Sequence, residues 1–222
     1  MVEIVLVRHA QPNWEPNGKA VNDPCLTDYG QQQAIQLASA LEGKEFDAFY
    51  VSPLVRARET AAPVAEVLGR QPKVLSWLEE IRLPDLEGSP ADEVKHMLEE
   101  AQARDLMDWW EGLPGGETFR HFNERVCGGF EDLLSNQHRA RIHDRGVYSV
   151  WDLPEGEQRI LIVCHLGTIS VSVSHLLGLE PVPWAWERFA MDWAGITIVR
   201  SVPLAGRAIW ALKAFNQVHH LQ

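Results

Sequence analysis

Four apolar residues, Ile4 to Val7, run directly into Arg8 and His9, and this junction limits the possible folds more than any other stretch. A mostly β-branched run of this length is typical of a strand buried on both faces of a parallel sheet. Polar residues at the carboxyl end of such a strand lie where open α/β sheets bind ligands. Arginine offers a fork of donors that suits phosphate, and histidine offers a nucleophile or acid–base group near neutral pH. The pair therefore predicts a phosphate site with a reactive imidazole, an ordinary surface pair being the alternative.

The composition limits both the architecture and the partners. The chain has 222 residues, of which 45% are hydrophobic and 23% are charged. This length can bury a full α/β core, so we expect a single domain over residues 1–222. The net charge of −11 argues against nucleic acid and against an anionic membrane surface as main partners. Because the same charge repels phosphorylated substrates, a phosphate site here must depend on a local cluster of arginines.

Cysteine usage and hydropathy indicate the compartment. Cys25, Cys127 and Cys164 are far apart in the sequence and form no CxxC pair. An odd, scattered set favours reduced thiols over a disulfide framework. The first residues enter a strand without a basic leader segment, and no apolar run approaches the roughly 20 residues that span a bilayer. We therefore expect a cytoplasmic protein that does not enter a membrane.

Strand-like and helix-like segments alternate along the chain. Further buried strands are predicted near residues 46–51, 74–78 and 160–164, each followed by a helical pattern or a polar segment. This alternation predicts an α/β fold, a three-layer α/β/α sandwich with a mostly parallel central sheet. The two late runs 196–199 and 208–215 are expected to pair as antiparallel neighbours.

Several local signals add detail to this plan. A helical insertion is expected at about 90–135, and a long loop at about 136–158 that includes a small hairpin around Val147–Trp151. Ser52 followed by Pro53 is typical of a helix N-cap, and Pro63 should kink or interrupt the helix that follows.

Five side chains with phosphate chemistry follow predicted buried strands, namely Arg8, His9, Arg56, Glu80 and His165. Because the carboxyl ends of parallel strands meet at one edge of a sheet, we expect these side chains to come together. Phosphoryl transfer needs charge neutralisation, an in-line nucleophile and a proton donor for the leaving oxygen. Two arginines, two histidines and a carboxylate supply these functions, so neither a metal nor another cofactor is predicted.

The segments that carry these residues resemble the signature motifs of the histidine phosphatase superfamily, the group related to cofactor-dependent phosphoglycerate mutases. In chain order they are Val-Arg-His-Ala at 7–10, Asp-Pro-Cys-Leu-Thr-Asp-Tyr-Gly at 23–30, Ser-Pro-Leu-Val-Arg-Ala-Arg-Glu-Thr-Ala at 52–61, Leu-Glu-Glu-Ile at 78–81 and Val-Cys-His-Leu-Gly at 163–167. The sequence departs from the family pattern at Ala10 and Leu166, where glycine is usual.

The resemblance implies a role for each of the five side chains. His9 would attack phosphorus and form a phosphohistidine, with its other ring nitrogen held protonated by an acceptor. Glu80 would protonate the leaving oxygen and then activate water, with Glu79 and Glu87 as the alternative acids. The phosphoryl group would be bound by the cationic and imidazole side chains Arg8, His9, Arg56 and His165.

Together these expectations predict a metal-independent phosphatase that hydrolyses phosphomonoesters, with small phosphorylated metabolites as its substrates. Two other functions stay open, a phosphoglycerate mutase and a non-catalytic protein that binds a phosphate ligand. The tryptophans at 109, 110, 184 and 186 either fill the core, which we favour, or form an apolar lid or a homodimer contact. The basic run 138–145 is expected to be a solvated loop, the alternative being a second anion-binding segment.

Overall fold

The chain folds around one β-sheet, and the structure, a computed structural model, describes residues 1–144 and 149–222. The strands of this described part are β1 (Val2–Arg8), β2 (Ala48–Val51), β3 (Lys73–Val74), β4 (Arg141–Asp144), β5 (Val150–Asp152), β6 (Gln158–Cys164), β7 (Ile196–Leu204) and β8 (Arg207–Gln217). They lie in the order β3-β2-β6-β1-β7-β8-β5-β4. Strand β1, which ends in the Arg-His pair, therefore lies in the middle of the sheet.

The sheet is mixed and mostly antiparallel, so the expectation of a mostly parallel sheet is wrong. Strands β1 with β6, β2 with β6 and β2 with β3 pair in parallel. The other four pairings within the described residues, β1 with β7, β7 with β8, β5 with β8 and β4 with β5, are antiparallel. The turn at Ala205 and Gly206 joins β7 directly to β8, and only antiparallel strands can be joined by so short a connection. The antiparallel pairing predicted for the two late runs is thereby confirmed.

Helices cover both faces of the sheet. They are α1 (Asp28–Leu41), α2 (Val55–Leu68), α3 (Ala91–Gln102), α4 (Phe119–His138), α5 (Leu166–Leu176) and α6 (Ala185–Arg188). One core cluster joins the sheet to α1 and α2 through residues such as Val5 and Leu37. A second cluster joins it to α4 and α5 through residues such as Ile4, Phe130 and Ile169. Since Ile4 and Val5 point to opposite faces of β1, the sheet forms the middle of three layers.

The start of α2 differs from its prediction. Ser52 is not the N-cap, because the cap position is Leu54, whose side chain makes no capping hydrogen bond. The carboxylate of Asp23 accepts the hydrogen bond from the Val55 amide instead, at 2.9 Å to Oδ1. A distant residue therefore satisfies the first amide of α2, and the Ser52 hydroxyl, which accepts from the Leu54 amide at 3.4 Å, still has its own proton to donate.

Two neighbouring expectations also change. Pro63 lies inside α2 without interrupting it, because proline removes only one helical hydrogen bond, while Ala61 and Val64 beside it are buried in the core. The strand expected at 74–78 shortens to β3 and is followed by a 3₁₀ turn at Ser76–Leu78. The segment that leads to Glu80 is thus irregular rather than part of the sheet.

The region predicted as a helical insertion contains α3, a 3₁₀ turn at Asp108–Glu111 and most of α4. Helix α4 buries the apolar residues that recur along it at helical spacing, Phe119, Phe122, Val126, Phe130, Leu133 and Leu134. Trp110 packs edge-on against Phe119, with ring centroids 5.4 Å apart, whereas the side chain of Trp186 lies outside the described residues. No helix in residues 1–144 or 149–222 is both long and apolar enough to cross a bilayer.

The region predicted as a long loop, 136–158, contains the end of α4 and the antiparallel strands β4 and β5. His138, the first residue of the basic run, is buried, and its ring nitrogens lie 3.0 Å from the Tyr50 hydroxyl and 2.9 Å from Gln158 Oε1. The prediction of a solvated loop is therefore wrong at His138. Arg145 and Val147, which belong to the basic run and to the predicted hairpin, lie outside the described residues.

Candidate active site

The five predicted side chains come together at the carboxyl ends of β1, β2 and β6. The His9 amide donates to the carbonyl of Cys164 at 2.9 Å, so the ends of β1 and β6 are level. The ring centroids of His9 and His165 are 5.1 Å apart, and Arg56 Nε lies 3.3 Å from His9 Nε2. The parallel half of the sheet therefore brings His9, Arg56 and His165 together.

One hydrogen bond determines which nitrogen of the buried His9 ring is free to react. Nδ1 lies 2.8 Å from the carbonyl oxygen of Ala10, and since a carbonyl only accepts, Nδ1 carries the proton. Nε2 therefore presents its lone pair toward the guanidinium of Arg56. Burial, together with the positive charges of Arg56 and Arg8, holds the pKa of His9 well below its ordinary value of 6.5. The lowered pKa favours the neutral imidazole, the form in which a histidine can act as a nucleophile.

Two arginines supply the positive charge of the site, and each lies over a tryptophan. The Arg8 guanidinium carbon is 4.0 Å from the Trp193 ring centroid, and its Nη1 donates to the carbonyl of Met191. Arg56 is buried, and its guanidinium carbon is 4.7 Å from the Trp14 ring centroid. Burial lowers the pKa of both arginines, but a guanidinium stays charged at physiological pH. The local arginine cluster required by the net charge of the chain is therefore present.

Asp23 and Thr60, which the sequence did not single out, hold this part of the site together. Asp23 Oδ1 lies 3.5 Å from Arg56 Nη1, and the same carboxylate binds the amide at the start of α2. The Thr60 hydroxyl accepts from the Ala10 amide at 2.9 Å and donates to the Arg56 carbonyl at 2.7 Å. These bonds fix α2, and therefore Arg56, relative to the turn that follows β1.

His165 is fully buried at the end of β6, and Ser52 orients its ring. Its Nε2 lies 2.7 Å from the Ser52 hydroxyl, while Nδ1 has no hydrogen-bond partner among the described residues. A hydroxyl that donates to Nε2 leaves the proton on Nδ1, where it can be donated to a phosphoryl oxygen. Burial and the charges of Arg56 and Arg8 hold the pKa of His165 well below its ordinary value. The role of Ser52 was missed because Ser-Pro before a helix is typical of an N-cap.

The carboxylate of Glu80 lies against the first turn of α5. Oε2 accepts from the Gly167 amide at 2.8 Å, and Oε1 accepts from the Ile81 amide at 3.0 Å. A Cβ atom at position 167 would lie 2.4 Å from Oε1, so only glycine permits this approach. Burial raises the pKa of Glu80, although the two amides and the charges of Arg56 and Arg8 oppose the change. Glu80 therefore holds its proton to a higher pH than an ordinary glutamate does.

The two alternative acids have other partners. Glu79 Oε2 lies 3.0 Å from Nε of the exposed Arg82, and Glu87 Oε2 accepts from the Asn22 amide at 2.9 Å. Among the described residues, no three His, Cys, Asp or Glu side chains are grouped so that they could hold a metal ion. The site thus brings together a neutral imidazole, two guanidiniums, a second imidazole and a carboxyl with a raised pKa. Such a set can bind a phosphoryl group and transfer it.

Comparison with known proteins identifies the class. The family model of the histidine phosphatase superfamily (branch 1) matches residues 4–209. Phosphoserine phosphatase 1 of Hydrogenobacter thermophilus is 32% identical over 188 residues, covering 81% of this chain and 78% of that protein. The probable phosphoglycerate mutase GpmB of Escherichia coli is 28% identical over 227 residues, covering 100% of this chain and 95% of that protein.

Solved structures agree on the fold. A phosphoserine phosphatase mutant from Entamoeba histolytica in complex with phosphoserine superposes with a TM-score of 0.71 at 24% identity, over 100% of both chains. A mycobacterial glucosyl-3-phosphoglycerate phosphatase superposes with a TM-score of 0.72 at 22% identity, over 97% of this chain and 99% of the other. The chain belongs to the histidine phosphatase superfamily. It is an enzyme of the phosphatase class.

Proposed function

We propose that this enzyme hydrolyses phosphomonoesters, without a metal, through a phosphohistidine formed on Nε2 of His9. The contact of 2.8 Å between Nδ1 and the Ala10 carbonyl carries the proposal. It assigns the proton to Nδ1 and the lone pair to Nε2, on the side where Arg56 can hold a phosphoryl group. The lowered pKa of His9 supports the same assignment, because a protonated imidazole has no lone pair for attack.

In the first step, the guanidiniums of Arg8 and Arg56 and the Nδ1–H of His165 bind the phosphoryl oxygens. His9 Nε2 forms a bond to phosphorus while the bond from phosphorus to the ester oxygen breaks. Glu80 gives its proton to that leaving oxygen. The raised pKa of Glu80 supports this role, because the acid must hold its proton when the substrate binds.

In the second step, the Glu80 carboxylate takes a proton from water as the water oxygen attacks phosphorus. The bond from phosphorus to Nε2 breaks, the neutral imidazole of His9 is restored and inorganic phosphate leaves. Glu80 ends the cycle protonated, so the reaction consumes one water and leaves the enzyme unchanged.

For the substrate we propose a small phosphorylated metabolite, with O-phosphoserine the first compound to test. This choice rests on the similarity to a protein named phosphoserine phosphatase 1, at 32% identity. The guanidiniums of Arg8 and Arg56, which lie over the rings of Trp193 and Trp14, provide positive charge for the phosphoryl group of such a compound.

The test measures inorganic phosphate released from O-phosphoserine and from dinitrophenyl phosphate, with a chelator present. We expect His9→Asn to lose turnover of both compounds, and the exposed control His96→Asn to keep it. In kcat/KM, which reports the first step, Glu80→Gln should lose about 10²–10⁴-fold on the alkyl phosphate and much less on dinitrophenyl phosphate, whose leaving group needs no proton. A phosphoryl adduct on the His9 peptide after acid-free quenching would support the intermediate. Full turnover by His9→Asn would exclude His9 as the nucleophile.

A phosphoglycerate mutase is the second candidate, favoured by the similarity to GpmB over the whole chain. The two reactions share the phosphohistidine and differ in the acceptor, which is water for a phosphatase and a glycerate hydroxyl for a mutase. Phosphorus NMR on phosphoglycerate distinguishes them. Growth of the inorganic phosphate signal supports the phosphatase, whereas exchange between the phosphoglycerate isomers without phosphate release supports the mutase.

A further inference from the structure

The segment that carries Glu80 has no strand or helix of its own to hold it. It begins with the 3₁₀ turn at Ser76–Leu78 and continues as irregular chain through Arg82. Backbone carbonyls in such a segment need partners from elsewhere, because an unpaired buried polar group is costly. The position of the Glu80 carboxylate therefore depends on whatever binds this backbone.

Arg125, on helix α4, provides most of those partners. Its Nη1 donates to the carbonyls of Trp77 at 2.8 Å and Glu79 at 3.1 Å. Its Nη2 donates to the carbonyl of Glu80 at 3.3 Å. One guanidinium thus binds three carbonyls within four consecutive residues, including that of Glu80 itself.

Glu117 completes the arrangement from the turn before α4. Its Oε1 accepts from Arg125 Nε at 3.0 Å, and its Oε2 accepts from Arg125 Nη2 at 2.7 Å. Its Oε2 also accepts from the Arg82 amide at 3.2 Å, and its own amide donates to the Arg82 carbonyl at 2.7 Å. The side chains of Arg125 and Glu117 are only 12% and 4% exposed. The pair therefore holds the Glu80 segment at both ends.

The guanidinium of Arg125 has no donor left for another function. Its five N–H groups are directed at three backbone carbonyls and two carboxylate oxygens. Lysine has three donors on a single nitrogen, so it cannot reproduce these contacts. None of the five acceptors belongs to the phosphate-binding side chains.

We propose that Arg125 and Glu117 are positioning residues for the acid–base step, acting through the backbone of residues 77–82 to hold the Glu80 carboxylate at the start of α5. This inference rests on the proposed role of Glu80 as the proton donor. All five donors of Arg125 are directed at this segment or at Glu117, so we expect the pair to affect the protonation of the leaving group far more than the attack by His9. A displacement of about 1 Å in a catalytic group can cost about 10²-fold in rate.

The experiment compares kcat/KM for O-phosphoserine with kcat/KM for dinitrophenyl phosphate in each variant. The ratio of the two values does not depend on how much of the preparation is folded, because both substrates report the same active molecules. We expect Arg125→Lys and Glu117→Gln each to lower this ratio by about 10–10²-fold. Arg120→Lys is the matched control, since Arg120 lies on the same helix, is exposed and binds Glu111. Its ratio should equal that of the wild type.

Measurements on Glu80→Gln, alone and combined with Arg125→Lys, distinguish failure of the positioning role from failure of the acid role of Glu80. If Glu80→Gln lowers the ratio and adding Arg125→Lys lowers it no further, the two residues act on one step, as proposed. If Glu80→Gln lowers the ratio but Arg125→Lys and Glu117→Gln leave it unchanged, the pair has only a structural role and the inference is overturned. If Glu80→Gln leaves the ratio unchanged, the acid role of Glu80 itself is excluded.

Discussion

Burial shifts the pKa of the nucleophile and of the acid in opposite directions at this site. It lowers the pKa of His9 below 6.5 and raises the pKa of Glu80 above 4.5. In both cases the neutral form is favoured, because a charged group loses hydration when it is buried. The two shifts therefore widen the pH range in which an unprotonated imidazole and a protonated carboxyl are present together. Attack and leaving-group protonation need this combination.

The pH dependence of turnover follows from these two shifts. As pH rises through the pKa of Glu80, the acid loses its proton, so kcat/KM for O-phosphoserine should fall toward alkaline pH. The loss at acidic pH should begin only below 6.5, where His9 gains a proton. With dinitrophenyl phosphate the alkaline fall should disappear, because that leaving group needs no acid. Rate profiles with both substrates check this, and an identical alkaline fall for both would contradict the assignment of Glu80.

The residues that the sequence predicts and those that it misses differ in how they reach the site. His9, Arg56 and His165 follow strand ends, so strand order alone brings them together. Ser52 and Arg125 act on other side chains and on backbone carbonyls, and those partners are distant in sequence. Such contacts depend on how α4 and α2 pack, which hydrophobic periodicity does not encode.

At the level of elements, helix α4 shows how packing decides the effect of a single residue. Two consecutive glycines lie on it, and only one of them faces a neighbour. A Cβ at Gly128 would meet no atom within 4 Å, whereas a Cβ at Gly129 would lie 2.3 Å from the Trp77 ring. Trp77 belongs to the 3₁₀ turn that leads to Glu80 and packs edge-on against Phe130, with centroids 5.3 Å apart.

The two glycines give a matched pair of variants. Gly128→Ala should stabilise the protein by about 0.5–1 kcal/mol, because alanine in a helix loses less entropy on folding. Gly129→Ala should destabilise it by about 1–3 kcal/mol, because the added methyl group overpacks against Trp77. Denaturant unfolding of both variants measures the difference. Equal effects from the two substitutions would show that Trp77 does not pack against Gly129 in solution.

The elements themselves follow from the sequence where periodicity is strong. Helix α4, most of which lies in the predicted helical insertion, and the strand at 160–164 are both found where they are predicted. The direction of a strand does not follow from periodicity, because it depends on which strands pair and on how long the connections between them are. The short strands β3, β4 and β5 carry little pattern of their own, so the sequence does not show that the second half of the sheet is antiparallel.

At the level of the whole molecule, the fold keeps several histidines in their neutral form. Burial is the main cause of a lowered pKa at His9, His138, His165 and His220. In the unfolded chain, histidine has a pKa near its ordinary value of about 6.5. Below that pH the unfolded state therefore binds more protons than the native state, and the free energy of unfolding decreases.

Carboxylates that form ion pairs in the native state cause a second loss of stability, at lower pH. At Glu3 and Glu117 burial raises the pKa, but the arginines that bind them lower it further, so each ends below 4.5. Stability from these ion pairs is present above 4.5 and is lost as pH falls through their folded-state pKa values. Glu80 works in the opposite direction, because its raised pKa contributes stability that is lost as pH rises. The histidines are thus the first groups to destabilise the native state on acidification.

We therefore expect the buried histidines to lower the free energy of unfolding between pH 7.5 and pH 5.5, before Glu3 and Glu117 titrate, with Glu80 opposing this decline. Each buried histidine contributes up to about 1.4 kcal/mol for each unit by which its pKa is lowered. His138→Gln should reduce the slope of stability against pH, because His138 lies outside the catalytic set and its ring is held by Tyr50 and Gln158. His96→Gln, at an exposed position, is the control and should keep the wild-type slope. Urea unfolding at several pH values measures these slopes, and a His138→Gln slope equal to that of the wild type would show that proton uptake by this histidine does not contribute.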